Sequence, residues 1–426
     1  MNSPVVAARP FRVAALVDLQ RSAQAGGHVK WWERLAAAAA ETGDGDRPLD
    51  LTVYFSGDAP DEVLSPRVRL RHLPPLFSTA RLSFLPYVPD HTDLAPYHPG
   101  LARQLPRYDL IHTTDGFFAF ARTAERIARK RAIPLTTSFH TDTPAYARIF
   151  TQQTIDKIFA RWPWARRKLI EDWSLPERQG VRMDRRLARH LRQCAFAFAT
   201  RAQDRDLAAG VLGAARVRDL RLGADKAMFS PQRRDSAGVR RDYAIPEGGR
   251  IALFVGRVDV GKNVPTLIEA VARAIGAGAP LHLVIAGVGP MTNEAARRLA
   301  GHVSVLGFVE PRELARLYAS VDFLALPSEV EIGSMATTEA LAAGCPALIA
   351  DSSGSAAIYD ETPAIATVSG GVESWVAALR GLVEDGDRLA AMRAAALEFS
   401  AVHLASWRDV LREDLLSGWR AAARVP

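Results

Sequence analysis

The sequence predicts an α/β protein built from two doubly wound, Rossmann-like domains. Three observations carry that expectation. Short apolar runs (IALFV, LHLVIAG, VSVLGFV and VDFLALPS) alternate with helical stretches near 291–300 and 311–319. That rhythm builds a parallel sheet covered on both faces. The length of 426 residues exceeds what one hydrophobic core holds, so two domains follow. Between the halves, residues 232–249 are polar and loose and read as a hinge. The expected division is a first domain at 1–222, a linker at 223–249, a second domain at 250–400 and a terminal helix at 401–426.

In the first half, residues 11–19 read as a strand and QRSAQAGG as a loop. A helix follows at 28–40, stopped by Gly43. Gly26 and Gly27 stand where the first strand hands over to this helix, and without side chains they let a phosphate or an acceptor approach the backbone. Residues 49–55 and 68–73 are further strands, and a proline-rich connector at 74–106 is expected to be irregular and exposed. A strand at 109–113, a helix at 116–131 and a strand at 134–139 come next. His140 follows that last strand directly, within SFHTDTPAYAR, at a place where functional residues collect. A histidine there is either a ligand contact or a hydrogen-bonded structural residue. Strands at 194–200 and 217–222 close the half.

The second half opens on a strand, then GRVDVGKN and a helix from Pro265. Gly256, Gly261 and Lys262 come close to a P-loop, but Asn263 stands where a Ser or Thr would hold magnesium. Residues 321–350 form one strand–loop–helix–strand unit, its helix stopped by Gly344 with Pro346 after it. The loop lies at the carboxyl end of a strand and the amino end of a helix, where α/β proteins bind ligands. Glu331 in the loop and Glu339 in the helix are acceptors suited to sugar or ribose diols. Between them the backbone N–H groups of Gly333, Ser334, Met335 and Ala336 are expected to lack intrahelical partners and to face an anion.

PS…E-x7-E followed by ALAAGCPALIA resembles the retaining, GT-B-fold glycosyltransferases of family 4, the glycosyl transferases group 1. The resemblance implies two domains facing across a cleft, with a nucleotide sugar held mainly by the second. It implies that Glu331 touches the donor sugar, that Glu339 holds the ribose, and that the amides of Gly333 to Ala336 contact sugar and diphosphate. Gly256, Arg257 and Lys262 resemble the family's Gly-Arg…Lys-Asn element, which clamps the donor diphosphate without a metal. Gly307, Phe308 and Val309 resemble its base-binding edge, and Gly26 with Gly27 its glycine-pair loop. His140 and the residues after it resemble a His-Thr-Asp-x-Pro-Ala-Tyr stretch of members that act on lipid-like acceptors, where the His lies close to the reacting sugar. Gly223, Asp225, Phe229 and Pro231 resemble the family's interdomain linker, and the terminal helix resembles one that crosses back onto the first domain. No cofactor is implied beyond a UDP- or GDP-linked donor. One departure is plain: Ile332, Gly333 and Ser334 follow Glu331 where the family has Gly, an aromatic and Gly, which leaves the turn geometry and the donor sugar open.

Composition narrows the class. A 48% hydrophobic and 24% charged content is that of a soluble globular protein. Cys194 and Cys345 lie in apolar stretches of different halves, so no disulfide framework is expected and a reducing cytoplasm fits. The amino end shows no secretory signal, and no apolar run reaches the length of a membrane span. The net charge of +7 is local: between Lys157 and Arg192, eleven Lys and Arg stand against four Asp and Glu. Trp162, Trp164 and Trp173 are interleaved with them. This window reads either as an element lying on an anionic membrane, placing the protein on the inner face, or as a solvated basic helix with packed tryptophans. No motif for nucleic-acid recognition accompanies the charge. Two rivals stay open beside a transferase: a nucleotide-sugar epimerase of the same two-domain shape, and a non-catalytic protein that binds anionic membranes.

Overall fold

The first sheet is built around β1 (Phe11–Gln20), whose run FRVAALV is buried almost throughout because the strand is covered on both faces. The chain continues through β2 (Leu49–Ser56), β3 (Glu62–Ser65), β4 (Val68–Leu73), β5 (Leu110–Thr113), β6 (Leu135–Ser138), β7 (Phe196–Ala199) and β8 (Val217–Asp219). In space the order is β3-β4-β2-β1-β5-β6-β7-β8, with β3 antiparallel to β4 and the other pairs parallel. These coordinates are a computed structural model describing residues 9–42, 48–82 and 91–424. The expected helix stop at Gly43 and the amino end at 1–8 lie outside the described residues, as do 83–90 of the connector.

The chain divides into two compact units, and the first takes in the residues up to Arg221 together with those from Trp407 onward. Strands run from β1 out to β4 on one side, then resume with β5 on the other side of β1. That reversal opens a crevice at the carboxyl ends of β1 and β5. Of the described residues of the connector, 74–82 are largely exposed and irregular as expected, whereas 91–105 are mostly buried or half-buried. The buried Asp93 carboxylate accepts the N–H groups of Leu76, Phe77 and Ala95 at 2.9–3.0 Å. The helix Pro99–Gln104 buries Leu101 and Ala102 beside Leu105. One carboxylate thus supplies the partners that proline-rich backbone cannot supply to itself.

The second unit, Leu222–Ser406, contains β9 (Gly223–Ala224), β10 (Arg250–Val255), β11 (Leu281–Ala286), β12 (Val303–Gly307), β13 (Phe323–Leu326), β14 (Ala347–Ala350), β15 (Ile365–Val368) and β16 (Ala405–Ser406). Six strands form a wholly parallel sheet in the order β12-β11-β10-β13-β14-β15, and β9 pairs with β16 apart from it. Here too the winding reverses, between β10 and β13.

Two boundaries differ from the sequence reading. Residues 223–249 are not a loose linker: Phe229, Val239 and Ile245 are buried in the core of the second unit. The helix Ser236–Asp242 is capped by Asp235, and Arg240 bonds the Pro246 and Gly249 carbonyls, closing the loop behind it. Ala224 joins them in that core, and Met228 and Tyr243 pack against it, so the segment is docked although much of its polar sequence faces water. The expected terminal helix at 401–426 is instead interrupted. The helix Gly386–Val402 ends first, β16 follows, and helical chain resumes at Trp407 with a π-helical stretch, Val410–Leu416. Arg221 fastens this end of the chain through Asp414 (2.7 Å) and Glu413 (2.6 Å).

A buried charge network lies under the first sheet. His190 Nδ1 is 2.7 Å from Glu125 Oε1, its Nε2 is 2.8 Å from Thr113 Oγ1, and Arg186 bonds the same glutamate at 2.7 Å. Burial alone would pull the His190 pKa down, but Cys194 and the Glu125 carboxylate bring it up to about 10. A pKa raised by folding gives stability that is complete below the unfolded value near 6.5 and is lost as pH rises through about 10. Unfolding measured by denaturant titration should therefore show stability falling between pH 7 and 10. Glu125→Gln should lower stability at pH 7 by about 1–3 kcal/mol and flatten that slope. A slope equal to wild type would assign the pH dependence to other groups.

Candidate active site

The site in the second unit is built from two loops that the winding reversal brings side by side, one after β10 and one after β13. The β10 loop is pinned by backbone contact. A Cβ on Gly287, just after β11, would lie 1.8 Å from the Gly256 carbonyl oxygen, and one on Gly289 would lie 2.3 Å from that of Val258. Gly256 itself has φ +145°, a conformation glycine tolerates. The loop then tightens into the 3₁₀ turn Val260–Lys262. Buried Asp259 organises it, accepting the Lys262 backbone N–H at 2.9 Å and the Arg257 Nε–H at 3.1 Å. Asn263 adopts the left-handed conformation (φ 53°) and donates to the Pro327 carbonyl (3.3 Å) and the Glu329 carboxylate (3.2 Å). It therefore ties the first loop to the second.

In the β13 loop the Glu331 carbonyl accepts the Gly354 N–H at 2.9 Å, and a Cβ on Gly354 would come within 2.1 Å of the Ile332 oxygen. Ile332 is buried, and Gly333 packs on Leu222, where a Cβ would sit 2.7 Å from Cδ1. These contacts aim the Glu331 side chain at Lys262, and Nζ lies 2.5 Å from Oε1. The pair is largely shielded, with side-chain exposures of 21% for Lys262 and 9% for Glu331. In the same loop Ser328 is buried, and its Oγ has no hydrogen-bond partner among the described residues.

Ser334 is the N-cap of the helix Met335–Ala342 and accepts the Thr337 N–H at 3.3 Å. Its own N–H donates to Ser355 Oγ at 2.8 Å, so this amide does not face a ligand as the sequence reading expected. The amides of Met335 and Ala336 begin the helix, where the geometry provides no intrahelical acceptor. Glu339 lies one turn on, partly buried, and accepts from the Tyr318 hydroxyl at 3.4 Å. Gly307 (φ +68°) ends the edge strand β12, followed by the half-exposed Phe308 and by Val309, which packs on the core. These three lie at the same carboxyl end of the sheet, two strands from β10. The second unit thus gathers Gly256, Arg257, Lys262, Glu331, Gly333, Ser334, Met335, Ala336 and Glu339 at one switch point, with 307–309 on its edge.

Gly26, Gly27 and His140 belong to the first unit. Gly26 caps the helix Gly27–Glu41 with ordinary extended angles, so its turn does not require glycine. His28, next along, stacks on His140 at 4.6 Å and 13°. His140 follows β6 and also meets Trp31 edge-on at 4.8 Å. Its Nε2 lies 2.7 Å from Ser138 Oγ and 3.3 Å from Trp32 Nε1. Burial, with His28 and His112 nearby, holds the His140 pKa well below the usual range. Burial likewise takes His28 and His112 to about 3, so all three are neutral near pH 7. His28 Nε2 and Trp31 Nε1 are buried without a hydrogen-bond partner among the described residues.

The basic window spans the end of the helix Thr143–Ile158, the helix Pro163–Arg167, a π turn at Lys168–Asp172 and the helix Leu175–Leu191. Its three tryptophans are not packed away: Trp162, Trp164 and Trp173 are 52%, 72% and 47% exposed. Arg186 differs from its neighbours, since it turns inward to Glu125 and is not part of the exposed charge.

Sequence reasoning missed the residues that hold the site rather than touch a ligand. Asp259 orders its own loop, and Gly287, Gly354 and Ser355 act through the backbone of other loops; only Asp259, between Arg257 and Lys262, carried a local signal. Trp32, Ser138 and His112 come together around His140 by strand pairing, which no spacing reveals.

Residues 235–399 match the family described as Glycosyl transferases group 1. The match lies wholly within the second unit, which is similar to that family over most of its length. The D-inositol 3-phosphate glycosyltransferase of Segniliparus rotundus is 28% identical over 212 residues, 47% of this chain and 46% of that protein. A Mycobacterium tuberculosis protein, GDP-mannose-dependent alpha-(1-6)-phosphatidylinositol dimannoside mannosyltransferase, is 34% identical over 162 residues, 38% of this chain and 40% of that one. D-inositol 3-phosphate glycosyltransferase 1 of Catenulispora acidiphila is 27% identical over 354 residues, 77% and 76% of the two chains. The chain spans less than half the length of the first two relatives. Sucrose-phosphate synthase from Thermosynechococcus elongatus matches in structure with TM-score 0.65 at 17% identity, over 94% of this chain and 96% of that one. The fold is GT-B, with two Rossmann-like units.

The Lys262–Glu331 contact lies inside the stretch that matches this family, and its strength is measurable. A double-mutant cycle with Lys262→Met, Glu331→Gln and both together, followed by urea unfolding, should return a coupling of about 0.5–3 kcal/mol. A coupling of zero would mean that the two groups are neighbours without mutual stabilisation.

Proposed function

We propose that this chain is a retaining, metal-independent glycosyltransferase that takes its sugar from a UDP- or GDP-linked donor. The observation that carries this reading is the Lys262–Glu331 contact across the switch point of the second sheet. A cation and a carboxylate at that place match the two ends of a sugar nucleotide: the diphosphate calls for positive charge, and the sugar hydroxyls call for an acceptor. On donor binding each side chain exchanges its partner, Lys262 turning to a diphosphate oxygen and Glu331 to the sugar. Neither charge is left uncompensated in a shielded site.

The chemistry follows from these assignments. The bond between the anomeric carbon and the diphosphate oxygen breaks, and its electron pair goes to the diphosphate. Lys262 and Arg257 neutralise the charge that develops there, with Asp259 keeping Arg257 in place. The acceptor hydroxyl attacks from the face the diphosphate leaves, and its proton passes to the departing phosphate oxygen. Glu331 holds the sugar in line, Glu339 takes the ribose diol, the amides of Gly333, Met335 and Ala336 serve sugar and diphosphate, and 307–309 border the base. Gly26, Gly27 and His140 serve the acceptor and the reacting sugar.

Two of the relatives named above act on inositol phosphate and one on a phosphatidylinositol mannoside, which supports an inositol-containing or lipid-linked acceptor here. The exposed tryptophans among the basic residues support a membrane-surface role for 157–192, on the inner leaflet of a cell membrane. Among the described residues no helix is long and apolar enough to cross a membrane.

Lys262→Ala should lower the catalytic efficiency for the donor roughly tenfold to a hundredfold, the effect of losing one charged hydrogen bond. Activity should persist in excess EDTA. Complete, magnesium-reversible loss would overturn the metal-free reading, and donor epimerisation or breakdown without any acceptor transfer would favour the epimerase. Steady-state kinetics should also separate the glutamates: Glu331→Gln lowers turnover, whereas Glu339→Gln chiefly raises the donor KM.

The membrane role is read by vesicle co-sedimentation. Binding to anionic vesicles should weaken steeply as salt rises, because each basic residue near the leaflet contributes about 1 kcal/mol and is screened. Replacing Arg161, Arg166, Arg167, Lys168 and Arg185 with Gln should abolish it while sparing nucleotide binding. Protein that stays in solution with anionic vesicles at low salt would point to a soluble acceptor.

A further inference from the structure

We propose that Trp32, Ser138, His112 and Trp419 are positioning residues that lock His140 into a single tautomer, with its proton on Nδ1. The inference deepens the reading of His140 as a ligand contact and rests on it. An indole N–H donates and never accepts, which gives the network two fixed ends. Trp32 Nε1 lies 3.3 Å from His140 Nε2, so that nitrogen accepts and carries a lone pair. Trp419 Nε1 lies 3.1 Å from His112 Nδ1, so that nitrogen accepts as well.

A neutral imidazole holds one proton, and both rings are buried enough to stay neutral. The His112 proton is therefore on Nε2, 2.9 Å from Ser138 Oγ, and donates to it. The serine hydroxyl then directs its own hydrogen to His140 Nε2, 2.7 Å away. Thr136 Oγ1, 2.9 Å from His112 Nδ1, is a hydroxyl that donates there without disturbing the order. Every bond points the same way, from Trp419 through His112 and Ser138 to His140, and Trp32 adds a second donor at the end.

His140 is left with a protonated Nδ1, which makes no hydrogen bond to any described residue. It is thus a donor, and the groups it recognises are oxygens with lone pairs: a sugar or acceptor hydroxyl, or a phosphate oxygen. At that atom it cannot act as a base. The arrangement also explains why two buried indoles and a histidine crowd one strand end. Trp32 and Trp419 are fully buried, and each hydrogen bond is made within the apolar interior of the first unit, where it is strongest.

The tautomer is visible directly in the ¹⁵N spectrum of histidine side chains, recorded on the whole chain labelled at its imidazoles, with His140→Gln identifying the signals. At pH 7 wild type should show a protonated Nδ1 and an unprotonated Nε2 for His140. Trp32→Phe keeps the ring packing but removes the donor. It should move both signals toward a tautomer mixture and lower kcat about threefold to tenfold, with the donor KM within about twofold. Ser138→Ala should do the same from the other side, and it serves where Trp32→Phe does not fold. A wild-type spectrum with the proton on Nε2 overturns the inference. So does a shifted tautomer with unchanged kcat, or an unchanged tautomer in both variants. Absence of transferase activity in wild type would instead overturn the function proposed above, while the tautomer remains readable without substrate.

Discussion

The pairing of β13 with β10 is the constraint on which the candidate site depends. A parallel sheet carries all its strand ends to one edge, but only where the winding reverses do two adjacent loops diverge instead of filling the gap between them. The register Ala252↔Phe323 and Leu253↔Leu324 sets the β10 and β13 loops at the same height. Contacts at Gly287 and Gly354 then remove the slack from each loop, since both glycines sit where no side chain fits. With both backbones fixed, the Lys262 and Glu331 side chains meet at hydrogen-bond distance. Precision at the charged groups is thus inherited from backbone packing several residues away.

The two units solve the problem of polarity in opposite ways. The second gathers full charges and pairs them: Arg257 with Asp259, and Lys262 with Glu331. Charges can stay in a shielded place only with partners, and such partners are exchangeable when a ligand brings its own. The first unit gathers neutral groups at its strand end, three imidazoles whose pKa values burial has driven down, and orders two of them, His112 and His140, by hydrogen-bond direction. Charge of one kind suits an anionic leaving group. Neutral, oriented donors suit hydroxyls, whose recognition does not justify the cost of desolvating an ion.

How much of this was legible follows from where the information resides. Strands such as LHLVIA and FLAL announce themselves because both faces are buried, which forces continuous apolar runs. The candidate site residues Arg257, Lys262, Glu331 and Glu339 lie in two short stretches of chain, so local sequence exposes them. The Ser334 amide was misread because its acceptor, Ser355, arrives from a different helix. The later part of the connector, 91–105, and the segment 223–249 were misread for a shared reason. Proline and polar residues signal an absent regular structure, yet one buried carboxylate or a few apolar side chains are enough to dock irregular chain. The tryptophans at 162, 164 and 173 left two readings open in sequence, and their exposure favours the surface one.

The end of the chain ties these strands of reasoning together. Trp419 lies more than three hundred residues from His112, yet its indole fixes the direction of the bonds that end at His140. Its position depends on Arg221, which grips Asp414 and Glu413 just beyond β8. An exposed ion pair of that kind adds little to stability on its own. Here it works differently, by closing a loop through the first unit that holds Trp419 against β5. The π-helical stretch Val410–Leu416 widens the helix at that point and buries Val410, Leu411 and Leu415 beneath it. What reads in sequence as a plain terminal helix is therefore the last support of a histidine at the end of the neighbouring strand, and its chemistry is set by the direction of one N–H bond.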